Sequence, residues 1–128
     1  MTRTIKSQAV KTTARKPTPR ERLVKAGRIE AAAAEEHRVA VVESQREIAD
    51  YAQRLTNAHA ALKFALDNNG QFSEDTTDAV RRAYQAQITY DECRDQWQRR
   101  LTETEAQHQW AAKNSELAWE AVEQAEGH

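Results

Sequence analysis

Apolar residues recur along this chain in alternating three- and four-residue steps, in two separate runs. The first run carries a heptad ladder of Ala34, Val41, Ile48, Leu55 and Leu62, with Leu23, Ala26, His37, Ser44, Tyr51, Ala58 and Leu66 on the intermediate steps. The second carries Ala79, Ala83, Ala86, Tyr90, Cys93, Trp97, Leu101, Thr104, His108, Ala111, Ser115, Ala118 and Val122. Such spacing keeps one stripe on one side of an α-helix. From Pro19 to Leu66 and from Glu74 to Glu126 nothing breaks a helix except Gly27. The pattern predicts two long helices, each about 70–80 Å at roughly 1.5 Å per residue.

The boundaries carry their own chemistry. Thr18-Pro19-Arg20-Glu21 combines a capping threonine, proline at the first helical position and glutamate at the third, so helix one starts at about residue 19. Asn68-Asn69-Gly70 supplies residues that tolerate positive φ, and the first helix is expected to end at about Leu66. The turn then occupies residues 67–73. Ser73 caps the second helix, about 74–126, with Glu74, Asp75 and Asp78 placed favourably against its N-terminal dipole. Residues 1–17 are rich in Thr, Ser, Lys and Arg, contain no acid and form a basic arm outside the hairpin of residues 18–128.

Folding the chain at Asn69–Gly70 pairs residues whose numbers sum to about 141. Leu55 then meets Ala86, Tyr51 meets Tyr90, Ile48 meets Cys93, Val41 meets Leu101 and Leu23 meets Ala118. Large residues oppose small ones at several levels, which permits close approach in relaxed rotamers. The same register sets Arg20, Arg22 and Lys25 beside Glu116, Glu120 and Glu123. The expected fold is therefore all-α: a long antiparallel two-helix hairpin, coiled-coil-like in its packing.

Composition agrees with that reading. The chain has 128 residues, 30% of them charged and 6% aromatic, with 3 Gly and 2 Pro. This is the profile of long solvated helices rather than of a packed α/β enzyme. Its apolar share, 39% and rich in Ala, offers little area per residue, so the fold is expected to lean on a partner. No run approaches the roughly 18 apolar residues of a membrane span. Cys93 is the single cysteine, which rules out an internal disulfide and fits a reducing, cytoplasmic setting. The net charge of −1 conceals a division: residues 1–29 hold nine Lys/Arg against Glu21 alone, a charge of +8, and the remainder carries −9.

Two groups of residues are left over from the seam. Ala106, Trp110, Leu117 and Ala121 fall roughly 100–200° round the second helix from its main stripe, and Trp119 lies at the stripe's edge. A Trp and a Leu one heptad apart are more than scattered surface residues, and they mark a candidate protein-binding or self-association face. The basic arm offers Arg3, Lys6, Lys11, Arg15 and Lys16 to an acidic surface or to phosphate. No aromatic residue lies among them, so any contact with nucleic acid would be blind to sequence and sensitive to salt.

Candidate chemistry is sparse. Glu105-Ala106-Gln107-His108 has the Glu-x-x-His spacing of metal-binding helical bundles, with His37 about one turn away across the proposed interface. The simpler reading of His108 is a core-edge histidine bonded to Thr104 or Glu105. Cys93, centred on the stripe, reads as an inert small hydrophobe. There is no phosphate-binding glycine loop, nucleophile elbow or paired-cysteine zinc spacing, and no cofactor is implied. The sequence points to a non-enzymatic structural or accessory subunit of a larger assembly, such as a virion or similar particle, docking through its arm and its apolar helix face. A nucleic-acid-binding accessory protein is the second reading and a helical metal-binding protein the third.

Overall fold

The fold is given by a computed structural model, which describes residues 15–127. Helix α1 runs Pro19–Asn69 and helix α2 runs Glu74–Ala125, and the two pack against each other as a hairpin. No strand occurs among the described residues. The helices hold 51 and 52 residues.

The caps follow from local sequence. The Glu21 N–H donates to the Thr18 hydroxyl at 3.1 Å. The Glu21 carboxylate faces Arg15, whose Nη2 donates to its two oxygens at 3.1 and 3.3 Å. It therefore serves an ion pair rather than the second half of a capping box. At the other end α1 continues through Asp67, Asn68 and Asn69, three residues beyond Leu66. It stops where Gly70 turns to φ +77°, with the Gly70 N–H bonded to the Leu66 carbonyl at 3.3 Å. A positive φ is nearly free for glycine and strained for residues with a Cβ. Ser73 then caps α2, accepting the Thr76 N–H at 3.1 Å.

By its internal contacts the chain divides into two compact units, one of residues 33–108 and one joining residues up to Ala32 with those from Gln109. In the first, Ala40, Ser44, Ala65, Thr76, Ala79, Ala83, Cys93 and Thr104 are buried. Two cross-helix hydrogen bonds fix its register. His37 Nδ1 lies 2.7 Å from the Thr104 hydroxyl, and the Thr76 hydroxyl reaches the Ala65 carbonyl at 3.3 Å. Both pairs sum to 141, as the apolar pattern requires. In the second unit Ala111 and Val122 are buried and Leu23, Ala26, Ser115 and Ala118 half-buried.

The seam differs from expectation in two respects. Every residue of the α2 stripe points inward, but in α1 Leu66 is exposed and Ala65 is buried in its place. From Leu62 the helix reaches the seam again after three residues, the same step that separates Val41 from Ser44 and Leu55 from Ala58, so Ala65 continues the heptad and Leu66 falls outside it. The fully buried set is also small-sided. Val41, Ile48, Tyr51, Leu55, Leu62, Tyr90, Trp97 and Leu101 are only half-buried, since one facing helix cannot cover a large side chain on all sides.

Candidate interaction surface

The terminal unit carries some of the apolar residues that the hairpin leaves uncovered, and others, among them Val39, Val42 and Phe64, lie in the other unit. Trp110 is 64% exposed and Leu117 49% exposed, one heptad apart on α2. Beside Trp110 lies a shallow depression of about 130 Å³ between the helices, lined by Arg22, Lys25, Ala26, Ile29, Ala111 and Asn114. Its floor is apolar, and two exposed cations stand at its rim. Ala121 is half-buried and contributes only an edge to this face. Trp119, 53% exposed, sits nine residues from Trp110, about half a revolution round the helix at 100° per residue. The two tryptophans therefore serve opposite flanks. Ala106, in the other unit, is exposed.

The charges of this unit are arranged differently from the expected ladder. Arg20 pairs with Glu126, and Glu116 pairs along its own helix with Lys113 at 3.7 Å. The i, i+3 contact is available without ordering a side chain across the seam. Arg22, Lys25 and Arg28 form no ion pair among the described residues, and neither do Glu120 and Glu123. Glu120 and Glu123 instead line a separate shallow depression with Gln124 and Gly127. One buried polar atom in the unit, the Ser115 Oγ, has no hydrogen-bond partner among the described residues.

The candidate metal ligands do not converge. His37 is held by Thr104, so the threonine expected to satisfy His108 is taken by the histidine of the facing helix. Glu36, one residue earlier, accepts from Arg100 Nη2 at 3.1 Å on the exposed side. Among the described residues no three His, Cys, Asp or Glu side chains are grouped to hold a metal, and Glu105, His108 and His37 form no such group. Cys93 is buried, with its Sγ 3.8 Å from Glu47 Oε1. Burial, followed by the negative charge and hydrogen bond of Glu47, pushes the thiol above its ordinary value. A thiol held protonated in this way is a poor nucleophile.

Of the arm residues, Arg3, Lys6 and Lys11 lie outside the described residues. Arg15 is engaged with Glu21 at the start of α1, whereas Lys16 is exposed. The sequence reading passed over Phe72, 92% exposed in the turn, and Tyr84, exposed on α2. Their neighbours in sequence gave no stripe that would single them out. Among the described residues no helix is long and apolar enough to cross a membrane. No family model, curated protein or solved structure matches the chain.

Proposed function

We propose that this chain is a non-enzymatic structural or accessory subunit that docks onto protein through the exposed apolar face centred on Trp110. The observation carrying this reading is the 64% exposure of Trp110 beside a depression floored by Ala26, Ile29 and Ala111. Tryptophan is the residue most enriched among energetic anchors of interfaces, and leaving one in water forfeits the burial its indole offers. Leu117 extends the same face by one heptad. The spread of charge supports the reading too, since Arg22 and Lys25, in no ion pair among the described residues, give the face a polar rim, the usual anatomy of a protein interface. Within the seam, His37, Thr104 and Thr76 are occupied in bonds between the two helices.

The test is Trp110→Glu. Helicity is expected to stay unchanged, because the residue lies outside the seam, while assembly is lost. A buried aromatic anchor contributes about 2 kcal/mol, roughly thirtyfold in affinity. Native mass measurement of complexes recovered from the source, wild type against variant, reads the outcome. Complexes of unchanged mass and yield would exclude the face and shift attention to the basic arm and to nucleic acid.

A further inference from the structure

Charge is spread unevenly round the Trp110 face. Along α2 the face follows Trp110, Asn114, Leu117, Ala121 and Gln124, whose alternating four- and three-residue steps keep them on one side of the helix. This row holds no acid, although the terminal unit is rich in glutamate. Glu21, Glu116 and Glu126 are held in ion pairs with Arg15, Lys113 and Arg20. Asn114 and Glu120 lie three residues to either side of Leu117, and so on opposite edges of the row. Asn114 is on the edge towards α1, where it shares the depression with Arg22 and Lys25. The α1 side of the face is therefore cationic, and Glu120 borders the far side.

We infer that the occupant of this face is an amphipathic helix of another protein, carrying acidic side chains along the flank that meets α1. The inference rests on the docking reading above and adds the chemistry of the partner.

The shape of the face selects a helix. From Trp110 to Gln124 the row runs about 21 Å at 1.5 Å per residue, roughly four turns. An incoming helix with apolar anchors at i, i+3 or i+4, and i+7 lies along such a row. An extended peptide would find no backbone partner there, because the N–H and C=O groups of a helix are bonded within it. The charge of the face selects the flank. Arg22 and Lys25 are exposed and make no ion pair among the described residues. Acids set against them gain complementary charge, and bases meet repulsion. A second copy using the same face would bring only the same cations, since an isologous contact sets a patch against itself. Nucleic acid asks for cations repeated along its phosphates, and the row on α2 has none.

A phage-displayed library of helical segments reads the preference directly. Each segment is roughly 18 residues long, with leucines fixed at heptad spacing and every flanking position free to be Glu, Lys or Gln. Selection is on immobilised full-length protein. Segments that also bind Trp110→Ala are discarded, which removes those held by the basic arm. The remainder should be enriched in Glu along one flank. On Arg22→Glu with Lys25→Glu the same selection should turn to Lys along that flank. Fluorescence anisotropy of the enriched acidic peptide should show binding roughly tenfold weaker to the double variant and roughly thirtyfold weaker to Trp110→Ala. Circular dichroism of each variant checks that the helices persist, and recovery of binding by the Lys-flanked peptide shows that the double variant keeps its face.

No enrichment, enrichment without a charge preference, or a preference unchanged by Arg22→Glu with Lys25→Glu overturns the inference. With any of these, loss of native complexes in Trp110→Glu still leaves the docking face standing. A short oligothymidylate bound by wild type and released by Trp110→Ala overturns it in favour of nucleic acid. A wild-type dimer in sedimentation equilibrium that Trp110→Glu dissociates overturns it in favour of a second copy. Native complexes indifferent to Trp110→Glu remove the docking face and this inference together.

Discussion

Single positions in this hairpin are set by what a helix tolerates and what one neighbouring helix can cover. Gly27 illustrates the first. It sits inside α1, and a Cβ built on it meets nothing within 4 Å. Gly27→Ala is therefore expected to stabilise the fold by about 0.5–1 kcal/mol, through lower backbone entropy in the unfolded chain. Urea unfolding followed by circular dichroism should show a higher midpoint, and a lower one would place a hidden constraint at Gly27. Cys93 illustrates the second. Its place on the apolar stripe was legible from sequence, and it is buried. Its contact with Glu47 was not, because a glutamate outside the stripe reaches the seam only through its own flexible side chain. His37 shows the same limit: its side of α1 was evident, but the choice of Thr104 as partner depended on side-chain geometry that periodicity does not encode.

At the scale of elements, the helix starts were the most legible features, since Thr18 and Ser73 act within three residues of themselves. The turn holds more than its sequence announced. Thr76 is 2% exposed, and its hydroxyl lies 2.6 Å from the Gly70 carbonyl as well as near that of Ala65. One side chain thus joins the end of α1, the turn and the start of α2. The stripe began at Ala79 in the sequence reading because a threonine there looks like an ordinary first-turn residue. Thr76→Val keeps the shape and removes the bond, leaving buried carbonyls less well satisfied, at about 1 kcal/mol. Gly70→Ala forces a Cβ into the positive-φ region and should cost about 1–2 kcal/mol. Thermal melts of both should fall while helical content at low temperature is kept. If neither melt moves, the turn contributes nothing to holding the helices together.

For the molecule as a whole, fold class and register were written in the apolar pattern, because a two-helix seam repeats the same contact many times. With Cys93 replaced by Ala, Leu55→Cys with Ala86→Cys should form an intramolecular disulfide, for the register of 141 brings their Cα atoms within roughly 7 Å. Non-reducing electrophoresis distinguishes this from links between chains. The interaction surface was only half legible: Trp110 and Leu117 stood out by spacing, but the rim of Arg22 and Lys25 required knowing which acids were already taken. The small-sided core has a calorimetric consequence. Among the described residues the buried apolar ones are Ala40, Ala65, Ala79, Ala83, Cys93, Ala111 and Val122, so unfolding the isolated chain newly wets little hydrocarbon. The heat-capacity increment should then fall below the usual 12–15 cal/mol/K per residue. A chain of this kind has a shallow stability curve and melts over a broad span of temperature. Partner docking, by covering the half-exposed large side chains, would sharpen that melt and bring the increment back toward the ordinary range.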